Sequence, residues 1–172
     1  MIREIIPIVL RFISLLIIQG LLLINVDIFG GFGHLNLYIL VILLLPIKSP
    51  RFLDMIIALL LGFGVDMFYN SPGLHASAAV ALAYTRPFVI RILTPRDDYD
   101  FTDKPDTRSL GFSWFLRYAG SLILFHSMWL YMLEAFDLSY FLSTIWTAIL
   151  TTILTLTTVL ILDYLFSPKV KT

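Results

Sequence analysis

Histidines and carboxylates within apolar stretches are the side chains of this sequence that could act as acids, bases or ligands. Asp66 follows an apolar run, His75 comes shortly after it, and His126 lies in the middle of a long apolar segment. An ionisable group inside a membrane is costly and usually faces the protein interior, so each of these is a candidate functional residue. Gln19, in the first apolar run, is predicted to hydrogen-bond between helices.

Asp66 has two interpretations that the sequence leaves open. One is contact with a partner or ligand, because Gly62 lets a neighbouring backbone approach and the carboxylate lies just beyond it. The other is capping of the helix that starts after Pro72-Gly73. His126 has a depth close to that of Asp66, so we predict that the two side chains pair. For a lone intramembrane histidine, a hydrogen-bonding role between helices is favoured over a role as a ligand or proton relay.

The pattern of reactive residues favours a scaffold or binding role over catalysis. The sequence holds no Ser-His-Asp or HExxH arrangement and no phosphate-binding loop, and its lack of cysteine excludes thiolate chemistry. The loop 94–110 contains five aspartates, which suit hard cations, but no glycine stands where a calcium loop needs its sharp turn. We therefore interpret this loop as a solvated linker and predict no catalytic residue, metal or cofactor.

The apolar composition of the chain makes lipid its expected solvent. Of its 172 residues 59% are hydrophobic, and the mean hydropathy is +0.90. A soluble domain of this length could not bury so much apolar surface. We predict an all-α membrane protein with a single domain over residues 1–172 and about six transmembrane helices, each of roughly 20 residues. These cover residues 5–26, 33–47, 52–69, 73–93, 111–133 and 139–166.

The second of these segments is the shortest. Its strictly apolar core, Leu35–Pro46, would rise only about 18 Å as a helix, so a tilted, thinned or partly re-entrant path is an open alternative.

All 12 lysines and arginines fall on alternate connections between these helices. They lie at the N-terminus, in the second and fourth connections and at the C-terminus, whereas the first, third and fifth connections contain none. Because positively charged segments stay in the cytoplasm, both termini and the loop 94–110 are predicted to be cytoplasmic. The same alternation requires the second segment to cross, and it leaves the outer face without a cation.

The charged residues near helix ends are assigned by the same rule. Arg86 is counted with the fourth connection, so no Lys or Arg is predicted in the middle of a helix. Asp54 and Asp163 lie at cytoplasmic helix ends, where ion pairs with Arg51 and Lys169 are the simplest interpretation.

Small and hydroxyl-bearing residues form two helical stripes that predict close packing inside the bundle. Threonine hydroxyls can bond the carbonyls of the preceding turn, so a threonine stripe is buried at little cost. A stripe of alanines lets two helices approach closely. Either stripe could also serve a partner helix. The stripes consist of Thr144, Thr147, Thr151, Thr155 and Thr158 in the sixth helix and of Ala76, Ala79 and Ala83 in the fourth.

The run Ala58–Tyr84, ALLLGFGVDMFYNSPGLHASAAVALAY, resembles the characteristic region of the MreD family of bacterial rod shape-determining proteins. The family pattern is a glycine-containing apolar helix that ends in Asp, a short turn with Pro and Gly-Leu, and a helix of small residues. The length of the chain and its hydrophilic loop after the fourth helix are similar as well. In this chain the pattern falls on Gly62, Asp66, Pro72, Gly73, Leu74, His75 and Ala76.

The resemblance implies a non-enzymatic scaffold of the cell-elongation machinery for peptidoglycan synthesis, in the bacterial inner membrane. It implies an MreC-like single-span partner, together with a RodA-like glycosyltransferase, a penicillin-binding transpeptidase and an MreB-like filament. Membrane lipid surrounds such a protein, and no nucleic acid is expected. Gly62, Asp66, His75 and the turn Pro72–Leu74 are then the candidate partner contacts.

The resemblance also supplies an alternative function. The MreD fold is similar to that of the substrate-binding subunits of energy-coupling-factor transporters, so a small-molecule or lipid-binding transporter subunit is the second hypothesis. Those subunits commonly have a small-residue coupling face on helix one, where this chain offers only Ser14 and Gly20 among bulky residues. A third hypothesis, an integral enzyme acting on lipid-linked precursors, would depend on Asp66 or His126.

Overall fold

The computed structural model describes residues 2–26, 28, 30, 32–94, 99, 104–135 and 141–166, with side chains from residue 6 onward. Within these ranges the chain is helical, and its only β-type pairing is an isolated bridge between Ile28 and Gly33. The helices are α1 (Ile2–Ile17, continuing as a π-helix over Ile18–Leu23), α2 (Ile39–Leu43), α3 (Arg51–Tyr69), α4 (Leu74–Ile92), α5 (Phe112–Ala135) and α6 (Phe141–Phe166).

Three helical segments among the described residues are long and apolar enough to cross a membrane: Ile6–Leu23, Arg51–Tyr69 and Phe141–Phe166. The prediction of an all-helical chain with membrane-spanning helices is confirmed at this level. Helices α4 and α5 are also long, at 19 and 24 residues, but they are less apolar because they carry charged and polar side chains within their length. The number of crossings and the orientation of the termini remain predictions.

The second predicted helix, residues 33–47, is wrong in extent. Only Ile39–Leu43 is α-helical there, and five residues rise by only about 7.5 Å. We call residues 34–46 the central segment. From Leu37 to Leu43, and again at Leu45, every side chain is at most 7% exposed. A segment that is apolar on all sides and surrounded by other helices needs no amphipathic period, which is why its hydrophobicity alone did not reveal that it is largely unwound.

The central segment runs through the bundle in the opposite direction to α5. Near its start, the ring of His34 lies beside that of Tyr131, with centroids 6.0 Å apart. Near its end, the carbonyl of Leu43 accepts a hydrogen bond of 2.8 Å from the Tyr118 hydroxyl. Tyr118 and Tyr131 are about 20 Å apart along α5, which is a large part of the hydrocarbon thickness of a bilayer.

Helices α3 and α4 pack in close contact. A Cβ atom added to Gly62 would lie 2.5 Å from the Cα of Ala76 and 2.7 Å from the carbonyl oxygen of His75. Ala76, Ala79 and Ala83 are all buried. The alanine stripe is therefore part of the internal packing, as one of the two interpretations predicted, because small residues on both helices let the backbones meet.

This contact predicts that Gly62→Ala destabilises the protein, because the new methyl group would overlap backbone atoms that cannot move aside. We expect the free energy of unfolding to fall by about 1–3 kcal/mol, measured by thermal unfolding in mild detergent. Gly120→Ala is the matched control, since its added Cβ would meet only a Leu156 methyl at 3.5 Å. An equal loss of stability in both variants would contradict the close α3–α4 contact.

Candidate functional site

Asp66, near the end of α3, accepts hydrogen bonds from the first turn of α4. Its Oδ1 accepts a hydrogen bond from the backbone N–H of His75 at 2.9 Å, and its Oδ2 accepts one from Ala76 at 3.0 Å. The N-cap position of α4 is Gly73, with φ +87°, which has no side chain to cap the helix. The Asp66 carboxylate therefore satisfies amides at the positive end of α4 that have no partner within the helix. The capping interpretation of Asp66 is confirmed.

The imidazole of His75 completes this cluster. Its Nδ1 lies 3.0 Å from Asp66 Oδ1, and the Ser71 hydroxyl donates to the same carboxylate oxygen at 2.9 Å. The ring also packs against Tyr69, with centroids 4.9 Å apart. Asp66 and His75 are only 5% and 7% exposed, so their contacts are made within the chain. The exposed part of the cluster is the turn itself, at Pro72 and Gly73, with Leu74 half-buried.

His126 bonds to the central segment and not to Asp66. Its Nε2 is 2.7 Å from the hydroxyl of Tyr38, and both side chains are fully buried. The predicted Asp66–His126 pair is therefore wrong. Asp66 faces the first turn of α4, whereas His126 faces the segment that runs beside α5. Within the described residues, Nδ1 of His126 has no hydrogen-bond partner.

Gln19 binds the backbone of the central segment. Its Nε2 donates to the carbonyl of Leu35 at 2.9 Å and to the Tyr69 hydroxyl at 2.8 Å, and its Oε1 accepts from the N–H of Leu37 at 2.9 Å. The predicted role as a hydrogen-bonding residue between helices is confirmed. Gln19 lies in the π-helical turn of α1, an irregularity that is frequent at functional positions.

Two threonines of the α6 stripe bind the same segment from the opposite side. The hydroxyl of Thr151 accepts from the N–H of His34, and that of Thr155 accepts from the N–H of Asn36, each at 3.2 Å. Both threonines are fully buried. Other hydroxyls of this helix, such as that of Thr158, bond the carbonyl of the preceding turn, as the sequence predicted.

Arg86 clamps the other end of the central segment, and sequence reasoning missed it. Its side chain, only 1% exposed, donates to the Tyr118 hydroxyl at 2.8 Å and to Asp54 Oδ2 at 3.1 Å. Its remaining amino group donates to the backbone carbonyls of Leu45 and Pro46. A buried guanidinium with this many acceptors is both paired and hydrogen-bonded, which is the condition for keeping a charge inside a protein.

The predicted ion pair between Asp54 and Arg51 is wrong, because Asp54 pairs with Arg86. The guanidinium of Arg51 lies instead over the ring of Phe88, 5.0 Å from its centroid. The sequence did contain one signal for this pair. Arg86 lies well before residue 93, the predicted end of its helix, and Asp54 lies in the first turn of the preceding helix, at the same end of the bundle. Counting Arg86 as a loop residue in the charge rule concealed that pairing.

Asp163 binds the segment that precedes α5. Its Oδ2 accepts hydrogen bonds from the backbone N–H and the hydroxyl of Thr107. Its predicted partner, Lys169, lies outside the described residues. Asp163 is 3% exposed, so it ties the loop before α5 to the end of α6.

The polar side chains described so far bind backbone more than they bind one another. In the ranges that the structure covers, no group of three or more His, Asp or Glu is placed to hold a metal ion. No family model matches the chain, and no curated protein and no solved structure matches it.

The Asp66 cluster predicts a specific pattern of energetic coupling. The double variant Asp66→Ala/His75→Ala should be non-additive by roughly 1 kcal/mol or more, because the two residues share hydrogen bonds. Asp66→Ala combined with His126→Ala should be additive to within about 0.5 kcal/mol. Unfolding of the detergent-solubilised variants measures both cycles. Stronger coupling of Asp66 to His126 than to His75 would contradict this arrangement.

The clamp predicts that Arg86→Met is strongly destabilising, by about 3–5 kcal/mol, because it leaves Asp54 as a buried charge without its partner. Arg91→Met on the same helix is the control, since Arg91 is exposed and its loss should cost no more than about 0.5 kcal/mol. Adding Asp54→Asn to the Arg86→Met variant should recover part of the stability. A further loss in the double variant would be inconsistent with the ion pair.

Proposed function

We propose that this chain is an MreD-like, non-enzymatic scaffold of the bacterial cell-elongation machinery, which binds an MreC-like single-span protein in the inner membrane. The residues that carry the resemblance form one compact unit in the fold. Gly62 lets the backbone of α4 approach closely, Asp66 caps that helix, and the turn at Pro72 and Gly73 is exposed on the protein surface. This internally braced, exposed turn is the observation that supports the proposal most directly.

A braced turn suits recognition because little conformational freedom is lost when a partner binds it. The buried carboxylate of Asp66 and the imidazole of His75 determine the shape of the turn without occupying its surface. In this proposal Asp66, Gly62 and His75 act by positioning, and Pro72, Gly73 and Leu74 make the contact.

The proposal includes six crossings with both termini in the cytoplasm. Five long helices and the central segment are available for these crossings. The course of the central segment along α5, from the level of Tyr131 to that of Tyr118, supports its crossing despite the short α2. An unwound segment at membrane depth is tolerated where it is buried in protein, and here it is enclosed by helices.

The charge of the proposed outer face restricts the partner. The connections 27–34, 70–72 and 136–138 contain no Lys or Arg, while Asp27, His34 and Asp137 lie within them. A partner that docks there must contribute shape complementarity, hydrogen bonds or its own positive charge. A RodA-like glycosyltransferase, a penicillin-binding transpeptidase and an MreB-like filament are the further members of the assembly in this proposal.

A second candidate function, a small-molecule or lipid-binding transporter subunit, is favoured by one observation. A cavity of about 290 Å³ opens between the adjoining ends of α5 and α6. His34, Tyr131, Glu134 and Thr147 line it together with apolar side chains, a mixture typical of ligand sites. A metabolite retained by the purified protein in native mass spectrometry would favour this function over the scaffold.

Co-purification tests the scaffold function. The full chain should retain an MreC-like protein from the same genome in mild detergent, and Pro72→Arg should reduce that retention at least about tenfold by placing a bulky cation in the contact. Asn25→Arg is the control, because Asn25 is also an exposed residue in a turn but is not part of the 72–74 turn. The proposal fails if the wild-type chain retains no partner, or if both variants lose it equally.

A further inference from the structure

A groove of about 490 Å³ lies between the start of α5 and the end of α6, at the end of the bundle opposite the Asp66 turn. Among the described residues its lining is almost entirely apolar, and Arg108 is the one cationic side chain that lines it. Phe112 of α5 and Leu160, Tyr164 and Leu165 of α6 line it, and the side chains of Tyr164 and Leu165 are exposed. The groove is thus an apolar surface between two helices with a guanidinium among its lining groups.

Hydrogen bonds to two buried carboxylates hold the turn that carries Arg108. The Asp106 carboxylate accepts from the backbone N–H of Arg108 at 3.1 Å and from that of Ser109 at 2.7 Å. The preceding residue, Thr107, is bound to the buried Asp163 at the end of α6. The guanidinium itself donates to the carbonyl of Tyr164 at 3.0 Å through Nη2. The turn that carries Arg108 is therefore held against α6 before any ligand arrives.

We propose that this groove binds an anionic phospholipid, with the phosphate at Arg108 and an acyl chain along Phe112 and Leu160. An apolar groove at the end of the spanning helix α6 lies where lipid is the solvent. A guanidinium recognises phosphate through two parallel N–H bonds, and basic pockets between helices on the cytoplasmic side are sites for anionic headgroups. Tyr164 is an aromatic residue of the kind enriched at the headgroup level.

Two carboxylates lie close to the groove but do not oppose the phosphate directly. Asp106 and Asp163 are only 5% and 3% exposed, and both are engaged by N–H and hydroxyl donors of the 107–109 turn. Recognition therefore rests on the short-range contact of Arg108 with the phosphate and on the apolar walls. A free phosphate ion would use only the first of these, so the groove selects a lipid.

Lipid retention by the purified full chain tests this site. In native mass spectrometry with equimolar phosphatidylglycerol and phosphatidylcholine, the wild-type chain should retain phosphatidylglycerol about tenfold more strongly, as expected for a charge-assisted contact. Arg108→Gln should abolish this preference. Arg117→Gln is the matched control, because the exposed Arg117 bonds Ser113 of its own helix and should leave the preference unchanged.

A second variant separates loss of the site from loss of the fold. Leu160→Trp fills the groove, so it should reduce retention of both lipids while the lipid-free melting temperature stays close to that of Arg117→Gln. Thermal shifts with phosphatidylglycerol and with inorganic phosphate distinguish a lipid from a free anion. The site is refuted if the wild-type chain shows no preference, if Arg117→Gln matches Arg108→Gln, or if inorganic phosphate stabilises as much as the lipid.

Discussion

The backbone of residues 34–46 needs hydrogen-bond partners inside the protein, and much of the structure follows from that requirement. Lipid offers no donors or acceptors, so each unpaired N–H or C=O at membrane depth costs several kcal/mol, on the order of a lost hydrogen bond or more. Only five residues of this segment are α-helical. The surrounding helices supply what the missing turns do not: Gln19 from α1, Thr151 and Thr155 from α6, and Tyr118 from α5.

This requirement also explains why the charged side chain of Arg86 is buried in the bundle. A buried guanidinium is usually hard to justify, since replacing a buried ion pair by apolar residues is often neutral or stabilising. Arg86 differs because it carries several donors in one rigid fork, and two of its acceptors are the carbonyls of Leu45 and Pro46. No apolar residue could satisfy those carbonyls. Asp54 then balances the charge, and Tyr118 links the clamp to the Leu43 carbonyl.

Backbone groups without partners also determine the structure at the opposite end of the bundle, where α4 begins. The first amides of α4 have no partners within their helix, and Gly73 cannot cap them, so Asp66 reaches across from α3. Gly62 makes that reach possible by allowing the two backbones to approach. A turn braced in this way is a defined surface beside lipid-facing helices, and the proposed partner contact uses the surface, not the bracing residues. The residues that brace the turn, Gly62, Asp66 and His75, are therefore different from the turn residues Pro72–Leu74 that would contact a partner.

The sequence by itself determined the helical class, three apolar helices long enough to cross a membrane, and several polar residues that turn inward. Composition and run length carry that information, and Gln19, Asp66 and the alanine stripe behave as their types and positions indicated. Only the tertiary structure decided which groups these residues bind. Pairing between helices depends on rotation and direction, which is why His126 meets Tyr38, why Arg86 meets Asp54, and why neither was foreseen. The unwinding of residues 34–46 was equally hidden, since a run that is apolar on every side has no periodicity, and its conformation depends on donors and acceptors far away in the chain.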